Sequence, residues 1–264
     1  MQKVRLRYAK QGKLRFTSHR DVARAFERAL RRSGAPTAHS QGFSPHPKVS
    51  WAGAVPTGVA SESEYVEVQL TEEVAPELLK TEINAVLPAG MEIRDAVVAG
   101  PGSLADRLQA SRWRTELPGT DAAELRAAVQ KLLAEESVLV ERKTKDGHRQ
   151  IDARAALVSA AVFDGDHPVA DGDRNASSAA RVDDWPTAPG PYGILVTVVR
   201  QTTPVVRPDD VLSALRAVAG VAPTAATSAT RLEQGPLGDG GGIADPLAQD
   251  SGAGRTLAGE PAAR

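Results

Sequence analysis

The first hundred residues alternate between strand-like and helix-like hydrophobic patterns, and this order limits the fold more than any other feature of the chain. In sequence order, the strand-like (β) and helix-like (α) runs lie at 4–8 (β), 22–30 (α), 49–52 (β), 65–70 (β), 76–86 (α) and 91–98 (β). The order β-α-β-β-α-β is typical of a ferredoxin-like module, also called a split βαβ module. We therefore predict one such module over residues 1–100. Leu14 and Phe16 continue the first alternation after Gln11-Gly12, which predicts a further short strand there.

The second half repeats this rhythm and predicts a second module over residues 108–220. Its expected elements are a strand at 112–117, a helix capped by Asp121, a hairpin of 138–145 with 148–158, a strand at 194–199 and a helix at 207–218. Residues 164–190 are rich in Asp, Ala, Gly and Pro, which predicts an insertion loop. Residues 221–264 hold few large apolar side chains, which predicts a disordered C-terminal tail. The expected fold class is α+β, with two ferredoxin-like modules in tandem.

Charge is distributed unevenly along the chain. The formal net charge is -1, yet residues 1–60 contain twelve Lys or Arg against only Asp21 and Glu27. Such a local surplus of positive charge is typical of a surface that binds nucleic acid or another polyanion. The chain has no cysteine, so it cannot itself hold an iron–sulfur cluster or a zinc ion through thiolates, and we predict no cofactor. No apolar stretch suits a signal peptide or a membrane span, which predicts a cytoplasmic protein without a membrane partner.

Arginines in the first sixty residues fall on surfaces that we expect to face solvent. In the first helix they recur every three or four positions, opposite the apolar face that includes Phe26. In the first strand they alternate with Val4 and Leu6. The arginines expected to contact nucleic acid are Arg5, Arg7, Arg15, Arg20, Arg24, Arg28 and Arg31. Guanidinium groups suit this role because their planar fork matches the geometry of a phosphate.

The loop HSQGFSPHPK, residues 39–48, concentrates side chains that can touch a ligand. The residues predicted to bind nucleic acid there are His39, Gln41, Phe43, His46 and Lys48. Phe43 can stack on a base, and His46 and Lys48 can meet phosphates, while two prolines stiffen the loop. Trp51 follows in a strand pattern and is expected to be a core residue.

The same loop also allows a catalytic interpretation. His19, His46 and Lys48 are the candidates for a general base, a general acid and a charge stabiliser in metal-independent RNA cleavage. A metal site at His39 and His46 is disfavoured because no Asp or Glu lies between residues 28 and 61. The binding interpretation explains the same residues more economically, so we assign no catalytic residue and predict no metal.

Three stretches carry a family resemblance: 24–70, GKLRFTSHRD at 12–21 and VERKTKDGHRQIDAR at 140–154. Together they resemble the radical-SAM-linked protein family of bacteria, whose most specific features here are HSQGFSPHPK and the Glu-Tyr pair at 64–65. Ser44 departs from the pattern, where asparagine is more usual. The resemblance implies a companion of, or a fusion to, a radical SAM protein with a region like a cobalamin-binding domain. It also implies a gene near ribonuclease E/G and a role in RNA metabolism.

These observations predict an accessory RNA-binding protein that works with a radical SAM enzyme in RNA metabolism or modification. One alternative is a metal-independent ribonuclease or RNA-modifying enzyme that uses His46 and Lys48. Another is a protein–protein adaptor whose arginines meet an acidic partner without RNA contact. The sequence favours a non-enzymatic role among the three.

Overall fold

The computed structural model describes residues 1–144, 147–164 and 191–251, and these form two compact units. The first unit combines Met1–Leu108 with the described residues from 244 to 251, and the second is Gln109–Ile243. Both units mix helices and strands, which confirms the predicted mixed class. Among the described residues, no helix combines the length and the apolar character needed to cross a membrane. Residues 165–190 of the predicted insertion loop lie outside the described ranges.

The first unit follows the predicted order of elements. Its elements are β1 (Gln2–Lys10), α1 (His19–Arg32), β2 (Val49–Ala52), β3 (Ala60–Leu70), α2 (Pro76–Asn84), β4 (Met91–Val98) and the short α3 (Leu104–Arg107). The strands form a sheet in the order β4-β1-β3-β2, and each neighbouring pair is antiparallel. A second short helix, Ala248–Ser251, belongs to this unit although it follows the second unit in sequence.

One face of this sheet packs against α1 and α2. Leu6 and Tyr8 of β1 lie in the same buried cluster as Phe26 and Leu30 of α1. Ser18 caps α1, because its hydroxyl accepts a hydrogen bond from the backbone N–H of Asp21 at 3.3 Å. The sequence predicted the apolar alternation of β1 and the apolar face of α1, and the structure confirms both.

The prediction of a short strand at Leu14 and Phe16 is wrong. Residues Gly12–Phe16 form a 3-10 helix, with backbone bonds from Leu14 N to Gln11 O at 3.1 Å and from Thr17 N to Leu14 O at 2.9 Å. A strand here would need a partner, and both edges of β1 are already paired, with β3 and with β4. The backbone N–H and C=O groups of this segment therefore form hydrogen bonds with near neighbours in sequence instead of with another strand.

Part of the second face of the sheet is covered as well, and this corrects the expected exposure of Arg5 on β1. Tyr65 of β3 packs there with Leu104 and Leu108, and with Leu247 from the C-terminal segment. Arg5, which alternates with the core residues of β1, is only 2% exposed. Its burial is possible because the carboxylates of Glu67 and Asp250 compensate its positive charge.

Asp250 fastens the C-terminal segment to this second face. Its carboxylate is 1% exposed and accepts hydrogen bonds from Arg5 at 2.9 and 3.1 Å and from Arg107 at 2.8 and 3.1 Å. The backbone N–H of Gly100 donates a further bond at 3.0 Å. A Cβ atom on Gly100 would lie 2.7 Å from the Asp250 carboxylate, so only glycine permits this approach. The prediction that disorder begins at residue 221 is therefore wrong as far as residue 251, and residues 252–264 lie outside the described ranges.

The second unit contains the remaining elements. They are β5 (Ala110–Pro118), α4 (Ala122–Ala134), β6 (Leu139–Thr144), β7 (Gly147–Asp152), the short α5 (Ala153–Ala156), β8 (Leu157–Asp164), β9 (Tyr192–Arg200), α6 (Pro208–Ala219) and β10 (Ser228–Gly235). The sheet order is β10-β5-β9-β8 and every neighbouring pair is antiparallel. The hairpin of β6 and β7 forms a separate sheet. When the other four strands of this unit are numbered along the chain, their order in the sheet is fourth, first, third, second. The strands of the first unit have the same order.

Two boundaries of the second unit differ from the sequence prediction. The hairpin's second strand ends at Asp152 instead of 158, because the Asp152 carboxylate caps α5 by accepting bonds from Arg154 N and Ala155 N, both at 3.1 Å. The unit also extends past residue 220 to Ile243 and includes β10, which the sequence analysis assigned to the tail.

Candidate nucleic-acid interface

The solvent face of α1 carries a row of arginines. The four predicted there, Arg20, Arg24, Arg28 and Arg31, are all exposed. Steps of four, four and three residues place them on one side of the helix, away from buried Phe26 and Leu30. Within the described part of the chain, their one ion pair joins Arg24 to Asp21 at 3.6 Å. Exposed pairs of this kind contribute at most about 1 kcal/mol, so they compete poorly with a bound phosphate.

Arg32 is a further member of this row that the sequence analysis missed. It is exposed at the last position of α1 and follows Arg28 by four residues, so it lies on the same side of the helix. The i, i+4 spacing was a sufficient signal. The last turn of α1 therefore presents two exposed arginines, Arg31 and Arg32.

The loop at residues 39–48 is a compact projection with a hydrogen-bonded base. Ser40 N donates to His46 O at 2.8 Å, and His46 N donates to the Ser40 hydroxyl at 3.1 Å. Lys48 N donates to Ala38 O at 2.7 Å. These bonds close the loop around a five-residue tip, 41–45, in which every residue is exposed. At its centre, the Phe43 side chain is completely exposed.

Trp51 links the helix to the strand that leaves the loop. Its indole makes edge-on ring contacts with Phe26 and His19 of α1, at centroid distances of 5.4 and 5.3 Å, and with Tyr8 of β1 at 5.8 Å. It is partly buried against the first unit's core, as the sequence predicted. Because one side chain contacts both α1 and β1, it fixes α1 on the sheet face next to β2.

A short connection joins the C-terminal end of α1 to the base of the loop. Thr37 pairs with Leu70 at the end of β3. It follows Arg32 by five positions, which an extended chain spans in at most about 18 Å. We call the combined region the basic surface. It consists of Arg20, Arg24, Arg28, Arg31 and Arg32 of α1 with His39, Gln41, Phe43, His46 and Lys48 of the loop.

Three of the arginines predicted to contact nucleic acid do not belong to the basic surface, and each interacts with another side chain of the protein. Arg5 is buried and bonded to Glu67 at 3.0 Å and to Asp250. Arg7 is paired with Asp95. Both alternate with Leu6, so they project from the sheet face opposite α1. The Arg15 guanidinium stacks over the ring of Phe16, 4.6 Å from its centroid.

The basic surface falls within the region of the chain that matches a protein-family model. Residues 3–208, more than half of the chain, match the model of a family described as uncharacterized protein conserved in bacteria, DUF2344. The chain belongs to the DUF2344 family. The match includes α1, the 39–48 loop and the β6–β7 hairpin, and the family description names no radical SAM enzyme, ligand or reaction. No curated protein matches the chain.

The catalytic candidates of this DUF2344 chain belong to two different elements. His19 begins α1 with its ring against Trp51, whereas His46 and Lys48 belong to the loop. In the described residues, no hydrogen bond or ring contact joins any two of these three side chains. His39 instead donates from Nδ1 to the carbonyl oxygen of Thr37 at 3.0 Å. No cluster of three potential metal ligands of the His, Cys, Asp and Glu types occurs in the same ranges.

The DUF2344 chain also has a cleft of about 370 Å³ in its first unit, on the sheet face that carries Arg5. Glu67 lies in its wall and bonds to Lys3 at 2.8 Å and to Arg5 at 3.0 Å. Burial opposes ionisation of Glu67, but these two cations outweigh it and lower its pKa. Lys3, Arg5 and Glu67 of the cleft therefore form ion pairs with one another, whereas the arginine row of α1 has the single ion pair described above.

Proposed function

We propose that this protein binds RNA through the basic surface of its first unit and acts as an accessory factor instead of an enzyme. The observation that carries this proposal is the row of five exposed arginines on α1 beside a loop with a completely exposed phenylalanine. Guanidinium groups bind phosphate oxygens in a bidentate way, and an exposed aromatic ring offers a stacking platform for a base. A protein needs both to hold a nucleic acid by its backbone and its bases.

The charge arrangement supports a polyanion as the ligand. From residue 28 to residue 61 the chain contains no Asp or Glu, so no acidic side chain from the loop segment opposes the arginines. Each phosphate contact releases condensed counterions, and the logarithm of the affinity for a single strand falls by about 0.7 per contact for each tenfold rise in salt. Engagement of all five arginines corresponds to a slope of about -3.5.

The partner and the compartment belong to the same proposal. The resemblance of 24–70 to the radical-SAM-linked family supports a radical SAM enzyme as the partner, with this chain presenting RNA to it. The absence of cysteine from the sequence is consistent with a companion role, since the partner would hold the cluster. The cytoplasm is the compartment where such an RNA-processing pair would act.

We also infer that both units are ferredoxin-like modules. The support is the shared strand order, fourth-first-third-second, with antiparallel neighbours and one long helix after the first and third strands of each unit. In the first unit this arrangement leaves the solvent face of α1 available to a ligand.

Charge reversal on α1 tests the RNA proposal. We expect Arg24→Glu combined with Arg28→Glu to weaken RNA binding about 100-fold at low salt, because two charge-assisted phosphate bonds are replaced by repulsion. The salt slope should also become shallower by about 1.4, the contribution of two contacts. Fluorescence anisotropy with a labelled RNA over a salt series measures both quantities, and circular dichroism checks that the variant is folded.

Two exposed arginines of the second unit provide the matched control. Arg149→Glu combined with Arg216→Glu changes the net charge equally but lies on β7 and α6. RNA affinity should be nearly unchanged in this control. Equal losses in both double variants, or wild-type binding that ignores salt, would contradict the proposed surface. Co-purification with a protein partner that survives nuclease, without RNA binding, would favour the adaptor alternative.

A further inference from the structure

We infer, resting on the proposed RNA-binding function, that the 39–48 loop selects unpaired nucleotides and that Phe43 stacks on an unpaired base. The first unit contains three phenylalanines, and they differ in their surroundings. Phe26 is fully buried in the core, and Phe16 is shielded on one face by the Arg15 guanidinium. Phe43 is completely exposed at the centre of the loop tip.

The loop is organised before any ligand arrives. The bonds between Ser40 and His46 close its base, and Pro47 is buried within it. Gly42, next to Phe43, has a φ of +147° with no atom within 4 Å of its would-be Cβ, so the backbone turns at the tip without steric hindrance. A ring held on a closed loop loses little conformational entropy on binding, which favours stacking over adaptive contact.

The exposed position of Phe43 favours unpaired RNA over a duplex. In a duplex the faces of the bases are covered by their stacked neighbours, and only single strands, bulges and ends offer a face to an aromatic ring. Cationic groups flank the tip, with Arg31 and Arg32 before the loop and Lys48 after Phe43. A single strand can therefore place phosphates against these groups while one base meets the ring.

The chemistry of the tip indicates selection of strandedness instead of sequence. Among residues 41–45, only the side chains of Gln41 and Ser44 can form hydrogen bonds with base edges. Every base has a π face, so stacking on Phe43 tolerates all four bases. The ligand class that fits is single-stranded RNA without a strict sequence requirement.

Replacement of Phe43 with alanine provides the test, with two labelled probes. One is an unstructured 12-nucleotide RNA, and the other is a blunt-ended 12-base-pair duplex made of two strands. We expect Phe43→Ala to weaken binding of the single strand about 5-fold to 150-fold, the range for one stacked base, and to leave duplex binding unchanged. Phe43→Trp should retain single-strand binding. Leu78→Ala removes another exposed apolar side chain, 53% exposed on α2, and should change neither affinity.

The outcomes separate this inference from the proposed function. If Phe43→Ala leaves single-strand binding unchanged, or weakens both probes equally, the inference is overturned. The arginine variants still decide whether the basic surface binds RNA at all. If Arg24→Glu with Arg28→Glu has no effect on either probe, the proposed function fails and this inference fails with it. Loss with the arginine variant on both probes, and with Phe43→Ala on the single strand, supports both.

Discussion

Replacing Asp250 with asparagine is expected to lower the free energy of unfolding by about 3–5 kcal/mol, the usual cost of breaking a buried ion pair on one side. The carboxylate neutralises Arg5 and Arg107, which are 2% and 9% exposed, and it also accepts a bond from Gly100 N. Asparagine keeps the shape of the side chain but removes the charge, so two buried guanidinium groups would lack full compensation. Urea unfolding followed by circular dichroism measures the loss.

Asp239→Asn is the matched control for this change. Asp239 is exposed in the second unit, so its replacement should alter stability by less than about 0.5 kcal/mol. A similar small effect for Asp250→Asn would mean that the C-terminal segment does not contribute to the stability of the first unit.

The same carboxylate gives the protein a specific sensitivity to acid. Burial opposes ionisation of Asp250, but bonds from Arg107 and Arg5 outweigh it and lower its pKa below the usual value for aspartate. A lowered folded-state pKa means that this contribution is fully present above the unfolded-state pKa and is lost as the pH falls through the folded-state value. We expect thermal stability to decline from about pH 5 downwards in the wild type, and Asp250→Asn to flatten that decline. A melting series from neutral to acidic pH tests this, and parallel curves for both proteins would contradict it.

Elements with a strong local signal could be predicted from the sequence. Leu6 and Tyr8 alternate along β1, Phe26 and Leu30 recur at helical spacing, and Ser18 supplies a cap. Each pattern depends on residues within a few positions of one another, because the side-chain periods of strands and helices are short. The mixed class of helices and strands and the order of elements in the first unit followed from these patterns.

Contacts between distant parts of the chain could not be predicted in this way. Arg5 and Asp250 are separated by 245 positions, and no local pattern indicates that they meet. Arg5 therefore resembled the exposed arginines of α1 in the sequence, although it is buried. The strand β10 was missed because its sequence, SATRLEQG, has weak apolar alternation, and it is specified by its pairing with β5.

The candidate site likewise combines features that a local sequence pattern predicts with features that depend on tertiary contacts. The spacing of Arg20, Arg24 and Arg28 was enough to place them on one side of a helix. The exposure of Phe43 was not predictable from its residue type, since Phe26 is buried a short distance earlier in the chain. What separates the two is the tertiary environment. Phe26 faces the sheet, whereas Phe43 sits at the tip of a loop closed by backbone bonds.

Replacing Trp51 with alanine is expected to cost about 3 kcal/mol of stability and to weaken RNA binding as well. The indole contacts Phe26 and His19 of α1 and Tyr8 of β1, so its removal leaves a cavity beneath the helix that carries the arginines. The position of α1 relative to the loop would then be less well fixed. Trp51→Phe fills most of this space and should retain most of the stability and the affinity. Urea unfolding and anisotropy with single-stranded RNA, the latter at a temperature where all variants are folded, measure the two effects.

Replacement of Trp113 in the second unit shows whether the loss of RNA affinity comes from the displacement of α1 or from lower overall stability. Trp113 is 5% exposed, and the Arg231 guanidinium lies 5.4 Å from its ring centroid. Trp113→Ala should also destabilise the protein by about 3 kcal/mol, because it too leaves a cavity in a core. Its RNA affinity should nevertheless match the wild type, since α1 and the loop keep their support. Equal losses of affinity in both tryptophan variants would show that RNA binding follows overall stability instead of the placement of α1.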